Sequence, residues 1–259
     1  MPDYEFLTVE REAKLTVITI NRPAVYNALH PPAHFEFDSV FNDFAADLKQ
    51  WVAIITGKGD KAFSAGNDLK YQAAGGSRER PASGFGGLTQ RFDLEKPVIA
   101  AVNGYAMGGG FEIALACDLI VASDNAVFAL PEPRVGLAAL AGGLHRLPRM
   151  IPQKQALGMI LPGRRVTAKE GKELGFVNEV TTQAGLMATS KRWAEMILEC
   201  SPMSLRASKQ AVYRGLDKPL LENAIGSAYP AVQSLYDSAD FVEGPKAFAE
   251  KRAPNWTVE

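Results

Sequence analysis

Three short runs of almost entirely apolar residues restrict the fold of this chain more than any other feature. They cover residues 52–56, 97–102 and 119–122. A short, continuously apolar run is typical of a strand that is buried on both faces of a sheet. An alternating run at Leu15–Ile20 predicts one more strand, and residues 32–49 predict a helix with one apolar side. Strands that alternate with helices predict an α/β fold with a buried sheet.

The last third of the chain has a different pattern. The strand signals stop at about residue 185, and helices are predicted at about 185–199, 203–215 and 219–250, the last broken near Gly244-Pro245. We therefore expect residues 1–195 to form a core that carries the active site and residues 196–259 to form a helical C-terminal region. Such a helical layer either packs on its own core or joins subunits.

Residues 71–87 predict a mobile loop. Glycine-rich pieces at 75–77 and 84–87 flank the charged segment Arg78-Glu79-Arg80. The loop is either an inert insertion or a cover over a site, and the sequence leaves both readings open.

Charge and composition exclude several classes of protein. The formal net charge of −1 provides no global field toward nucleic acid or acidic lipid. No apolar run approaches the roughly 20 residues that span a bilayer, and the start of the sequence shows no secretion signal. Two cysteines, Cys117 and Cys200, are too few for a disulfide framework or a structural zinc site, and two prolines separate His30 from His34. We expect a cytoplasmic protein without a bound metal.

Two glutamates beside tight turns are the first candidates for catalysis. Glu112 follows three glycines and a phenylalanine, and Glu132 lies between two prolines. If Gly109 begins a helix, its free N–H lies at the positive end of the helix dipole and suits a developing oxyanion. Glu112, one turn further in an otherwise apolar helix start, should then be buried or in a cleft, and burial would raise its pKa. The alternatives are two solvated surface carboxylates, or a glutamate that only complements the dipole.

A second candidate donor lies in residues 63–70, which follow an apolar strand. Small residues before Asn67 permit a close backbone approach, so its N–H could also bind an oxyanion; the alternative is a plain strand-to-helix turn capped by Asp68. Two nearby patterns are incomplete. Residues 57–62 match a dinucleotide-binding glycine pattern but lack a clear helix afterwards, and the segment around Ser64 lacks the first glycine of a nucleophile elbow.

The longest specific pattern is residues 96–112, KPVIAAVNGYAMGGGFE, which resembles the signature of the crotonase (enoyl-CoA hydratase) superfamily. The similarity covers nearly the whole chain, from Asn21-Arg22-Pro23 to the ending at residues 247–252. The resemblance implies a crotonase-type α/β spiral of ββα units with a C-terminal helical trimerisation region. It also implies a homotrimer or a homohexamer made of two trimers.

The same resemblance implies a substrate and a site. The substrate would be an acyl-CoA, whose thioester oxygen accepts hydrogen bonds from the backbone N–H groups of Asn67 and Gly109. Glu112 and Glu132 match the two glutamates of enoyl-CoA hydratases, and no metal or redox cofactor is needed because coenzyme A is part of the substrate. Further positions match segments that contact CoA, the last two often from a neighbouring subunit: Ala24, Ala65, Asp68, Leu69, Phe248 and Lys251.

Hydration of a trans-2-enoyl-CoA to a 3-hydroxyacyl-CoA is the activity that this resemblance implies. Double-bond isomerases of the family typically keep only the carboxylate at the position of Glu132. The alternatives are isomerisation or C–C hydrolysis of an acyl-CoA, and a protein that binds acyl-CoA without chemistry. Several segments look most similar to the crotonobetainyl-CoA hydratase branch. Residues 136–143, however, carry Ala and Leu where many relatives have Pro and a polar residue, which suggests an apolar or aromatic acyl group rather than a cationic one.

Overall fold

The computed structural model describes residues 4–258 and contains two sheets. The strands follow one another as β1 (Leu7–Glu12), β2 (Leu15–Ile20), β3 (Val52–Gly57), β4 (Ala62–Ser64), β5 (Val98–Val102), β6 (Tyr105–Met107), β7 (Leu119–Ser123), β8 (Val127–Ala129), β9 (Val166–Thr167) and β10 (Glu179–Thr181). The helices are α1 (Pro31–Ala46), α2 (Leu69–Ala73), α3 (Gly109–Ala116), α4 (Gly143–Met150), α5 (Gln153–Ile160), α6 (Ala168–Leu174), α7 (Leu186–Leu198), α8 (Pro202–Leu216), α9 (Leu221–Ile225), α10 (Pro230–Tyr236) and α11 (Ala239–Ala249).

The larger sheet contains all four strands predicted from the sequence. Its order is β1-β2-β3-β5-β7-β10, with β1 antiparallel to β2 and the remaining neighbours parallel. Every residue of β3 and β5 is buried, as a continuous apolar run requires. The α/β prediction is therefore confirmed.

The smaller sheet has the order β4-β6-β8-β9 and was not predicted. The chain passes repeatedly from a strand of the larger sheet to one of the smaller sheet and then to a helix, as in β3-β4-α2 and β5-β6-α3. The Asn103 carboxamide, after β5, joins one ββα unit to the unit before it. Its Nδ2 donates to Gly57 O at 2.8 Å, and its Oδ1 accepts from Gly57 N at 3.1 Å, at the end of β3. This repeated ββα path is the spiral that the resemblance implied.

The helical region confirms two of the three predicted stretches, as α7 and α8, and corrects the third. The stretch 219–250 is three helices, and the predicted break at Gly244-Pro245 is wrong because both residues lie inside α11. The chain breaks instead before Pro230, which begins α10 at a position where a missing N–H breaks no helical hydrogen bond.

The attachment of the helical layer uses both packing and charge. Leu186 and Ala194 of α7 pack with Ile99 of the larger sheet, so residue 195, the predicted domain boundary, falls inside a helix that covers the core. From α8, Lys209 Nζ lies 2.8 Å from Asp118 Oδ2. Within residues 4–258, no helix has the length and apolar character needed to cross a bilayer.

Two glycines offer a matched test of this packing. A Cβ on Gly110 of α3 would lie 2.1 Å from Ser64 O, whereas a Cβ on Gly158 of α5 would meet nothing within 4 Å. We expect Gly110→Ala to destabilise the protein by about 1–3 kcal/mol or more through steric overlap with backbone. Gly158→Ala should stabilise it by about 0.5–1 kcal/mol. Denaturant unfolding at fixed protein concentration checks both, and a fully stable Gly110→Ala variant would contradict the close approach.

Candidate active site

The N-terminus of α3 is the centre of the candidate site. Gly109 begins this helix, as the sequence predicted, after Gly108, which has a positive φ of 54°. The first helical hydrogen bond runs from Glu112 N to Gly108 O at 2.9 Å. The Gly109 amide therefore lies in the first turn, where N–H groups have no partner within the helix and carry the positive end of its dipole.

Asn67 lies beside this helix start. In a parallel bridge, Leu29 N donates to Gly66 O at 2.7 Å and Asp68 N donates to Leu29 O at 2.8 Å. Both bonds use the neighbours of Asn67, so its own N–H points away from Leu29. A Cβ on Gly66 would lie only 2.8 Å from Gly109 N, which shows how closely the two backbones approach. The predicted pair of amide donors is thus brought together on adjoining segments.

Glu112 projects from the first turn of α3 into the interior. Its side chain is 3% exposed, and its Oε1 accepts a hydrogen bond from Gly143 N at 2.9 Å. Burial raises the pKa of Glu112 from 4.5 to about 7, the hydrogen bond from Gly143 opposes that rise, and the charge of Glu132 adds to it. The predicted buried position is confirmed, and a solvated surface carboxylate is excluded.

Glu132 lies against the same helix start. It begins a short 3₁₀ turn, Glu132–Val135, and a Cβ on Gly108 would lie 2.6 Å from its Oε1. Burial also raises the pKa of Glu132. Its Oε2 is buried and has no hydrogen-bond partner among residues 4–258. Two carboxylates with raised pKa values therefore adjoin the first turn of α3, and the charge of Glu132 adds to the rise at Glu112.

Some predicted residues have a structural role. Asp68 caps α2, because its Oδ1 accepts from Tyr71 N at 3.1 Å, and its Oδ2 pairs with Arg22 at 3.1 Å. The prediction that Asp68 caps a helix is therefore confirmed. Its contact with CoA remains a prediction. Ser64 is fully buried, donates to Asn27 O at 2.8 Å and accepts from Gly66 N, so it shapes the turn before Asn67.

The remaining predicted CoA contacts lie further out. Ala24 and Leu69 are exposed and Ala65 is half-buried. Phe248 is 87% exposed near the end of α11, and Lys251 follows that helix, so both belong to the helical region rather than to the surroundings of α3. Their contact with CoA remains a prediction.

Several contributors were missed from the sequence. The Phe85 ring touches the helix start, because a Cβ on Gly109 would lie 2.5 Å from its atoms. Gly86 N donates to His34 Nδ1 at 3.1 Å, and burial lowers the pKa of His34 to about 3, so this imidazole is a neutral acceptor. Residues 85–87 are buried, so this end of the predicted loop belongs to the core. The alternation of glycines around Phe85 was the available signal, as was the Gly142-Gly143 pair for the donor to Glu112.

The apolar segment 136–143 is partly exposed and partly buried. Leu137 and Leu140 are 42% and 72% exposed, whereas Ala139 and Ala141 are buried. The segment ends at Gly143, whose amide reaches Glu112, so it is joined to the site. Within the described part of the chain, no group of three or more His, Cys, Asp or Glu residues is arranged to hold a metal ion.

Comparison with known proteins identifies the family of this chain. The family model described as Enoyl-CoA hydratase/isomerase matches residues 10–259.

The chain belongs to the enoyl-CoA hydratase/isomerase family.

Similar members of this family include both dehydratases and hydratases. Carnitinyl-CoA dehydratase of Escherichia coli (strain K12) is 44% identical over 258 residues, covering 97% of this chain and 98% of that protein. The protein of the same name from Citrobacter koseri is 43% identical with the same coverage. The crystal structure of enoyl-CoA hydratase from Mycobacterium tuberculosis H37Rv superposes with a TM-score of 0.92 at 35% identity, covering 98% of this chain and 99% of that one. The crotonase fold and the resemblance to the crotonobetainyl-CoA hydratase branch are thereby confirmed.

The raised pKa of Glu112 predicts a stability change with pH. Protonated Glu112 stabilises the folded protein. This contribution to the free energy of unfolding is fully present below pH 4.5, the ordinary pKa of the group, and is lost as the pH rises through about 7. Glu112→Gln keeps an acceptor for Gly143 but cannot ionise. Relative to the wild-type protein, this variant should therefore gain up to about 3 kcal/mol in unfolding free energy between pH 4.5 and pH 8. Thermal unfolding across this range checks it, with Glu173→Gln on the exposed side of α6 as the control. A pH-independent difference would contradict the buried ionisation.

Proposed function

We propose that this protein hydrates a trans-2-enoyl-CoA thioester reversibly to a 3-hydroxyacyl-CoA. The observation that carries the proposal is the convergence of Glu112 and Glu132 on the first turn of α3, beside the adjoining amides of Gly109 and Asn67. Two acids and two main-chain donors are the groups that addition of water to a conjugated thioester needs.

The amides act on the carbonyl. The thioester oxygen accepts hydrogen bonds from Asn67 and Gly109, which withdraw electron density from C3. When water attacks C3, negative charge moves to that oxygen as an enolate, so the donors stabilise the transition state more than the ground state. The dipole of α3 acts in the same direction.

The carboxylates move the protons. Water bonded to the glutamate pair adds its oxygen to C3 and gives up a proton to an ionised carboxylate, while a proton is delivered to C2. Because burial raises both pKa values, the pair can hold one proton near neutral pH, with one member acting as base and the other as acid. Gly143 holds Glu112 in place, and the unpartnered Oε2 of Glu132 has capacity to bind the reacting water. Coenzyme A belongs to the substrate, and the mechanism requires no metal or redox cofactor.

A second candidate is the interconversion of a carnitinyl-CoA and its dehydrated product. The identity of 44% to a protein named carnitinyl-CoA dehydratase favours it. The chemistry at C2 and C3 would be unchanged, and only the acyl group would differ. The apolar residues 136–143 weigh against a cationic acyl group of this kind.

We also propose self-association through the helical region, as a homotrimer or a pair of trimers. Val212 and Leu216 on α8 and Ile225 on α9 are 59%, 71% and 77% exposed. Apolar side chains of this size and density on adjoining helices suit a protein interface.

The glutamates provide the test of the proposed activity. Glu112→Gln and Glu132→Gln should each lower kcat for crotonyl-CoA by about 10²–10⁴, the typical contribution of a general acid or base. The double variant should lose much less than the product of the two, since the residues act as a unit. Loss of the conjugated enoyl absorbance measures the rate, and Glu173→Gln is the control. Wild-type rates in both variants, or turnover of a 3-enoyl isomer without any hydration, would contradict the proposal.

Substitution of Asn67 tests whether its main-chain N–H or its side chain donates to the thioester oxygen. Its Nδ2 donates to Gln72 Oε1 at 2.7 Å, so the proposed role belongs to the backbone alone. Asn67→Ala keeps the N–H and should lower kcat by less than about tenfold, against roughly 10²–10³ for the loss of a true oxyanion donor. The same crotonyl-CoA assay checks it. A loss above 100-fold in a variant that unfolds like the wild-type protein would assign the donor role to the side chain.

A further inference from the structure

Arg80 lies above the aromatic wall of the candidate site. Its guanidinium carbon is 5.2 Å from the centroid of the Phe85 ring. That ring contacts the backbone of Gly109, since a Cβ there would lie 2.5 Å from the ring atoms. Arg80, Phe85 and Gly109 therefore form a continuous column that ends at the proposed oxyanion donor.

The backbone after Arg80 is held in place. Pro81 is buried, and Gly84 N donates to Pro81 O at 2.9 Å. The Ser83 hydroxyl donates to the Asp38 carboxylate, and Gln90 N donates to Ser83 O at 2.8 Å. The guanidinium is therefore attached to a fixed piece of chain, even though the preceding residues 74–80 are mostly exposed.

The charge of Arg80 is not neutralised by an acidic neighbour. Among residues 4–258, Arg80 takes part in no ion pair within 4 Å, in contrast to Arg22 and Arg164. Its field nevertheless reaches the site, because it lowers the pKa of Glu112 against the larger effect of burial. It also contributes to the low pKa of His34.

We propose that Arg80 selects the acyl group by charge, favouring a thioester whose acyl chain ends in a carboxylate, accepting a neutral one and disfavouring a quaternary ammonium. The inference rests on the proposed function, because the acyl chain must extend from the carbonyl at Gly109 past the glutamates. The Arg80 side chain is exposed, and its unpaired guanidinium beside an aromatic ring repels a fixed cation and pairs with a carboxylate. The exposed Leu137 and Leu140, which precede the donor to Glu112, would contact the uncharged part of the chain.

Three thioesters that differ only in the group at the end of the acyl chain test this proposal. They share coenzyme A and the 2-enoyl unit and end in trimethylammonium, tert-butyl or carboxylate. For the wild-type protein we expect kcat/KM for the tert-butyl thioester to exceed that for the trimethylammonium thioester by at least tenfold, about 1.4 kcal/mol. Arg80→Gln should reduce this ratio about tenfold and should also reduce the preference for the carboxylate. Arg80→Glu should reverse the order of the two charged thioesters.

Arg78→Gln is the matched control, because Arg78 is equally exposed and lies two residues earlier. It should leave the three ratios unchanged. An Arg80→Gln variant that leaves the three ratios unchanged, with or without a common change in kcat/KM for all three thioesters, would overturn the proposal.

Affinity measurements with saturated thioesters test the role of Arg80 independently of the proposed hydratase activity. If no enoyl thioester is hydrated, the hydratase proposal fails. Dissociation constants of the three saturated thioesters, measured by calorimetry, still report the selection. Equal affinities of the wild-type protein for all three would then overturn the role of Arg80.

Discussion

The close approach of two backbones, at the start of α3 and at the turn before Asn67, is the constraint on which the site depends. A Cβ on Gly110 would overlap Ser64 O at 2.1 Å, and one on Gly66 would lie 2.5 Å from Met107 O. Only glycine permits such contacts. The approach places two main-chain amides side by side without using any side chain, and it fixes the N-terminus of α3 relative to the smaller sheet.

Burial of two carboxylates beside that helix start is costly, and the fold offsets the cost only in part. The hydrogen bond from Gly143 and the charge of Arg80 favour the charged form of Glu112, but desolvation and the charge of Glu132 outweigh them. A structure selected for stability alone would have little reason to keep this pair. Raised carboxylate pKa values of this kind are typical of sites that exchange protons near neutral pH.

The sequence predicted four of the six strands of the larger sheet, because these are long and apolar enough to show a pattern. It missed β1, which is mostly exposed and ends in charged residues, and β10, which has only three residues. The strands β4, β6 and β8 have three residues each, too few for a period to be recognised. Pro245 looked like a helix break and Pro230 was overlooked, since only tertiary packing decides which proline interrupts a helix. At the site, Glu112, Gly109 and Asn67 were singled out by neighbouring glycines and small residues and Glu132 by its flanking prolines, and the family resemblance joined the four into one predicted site. Phe85 contacts Gly109 and Gly143 donates to Glu112 from distant parts of the chain, and a local sequence pattern cannot predict contacts of this kind.

The hydrogen bond from Gly143 to Glu112 couples acyl-group specificity to the acidity of Glu112, two properties that are otherwise independent. Residues 136–143 have side chains that an evolving protein could exchange to accommodate a new acyl group. The same peptide also ends at the amide that tunes the acidity of Glu112. A change of specificity in this segment would therefore shift the pH optimum at the same time, and divergence within such a lineage would select the two traits together.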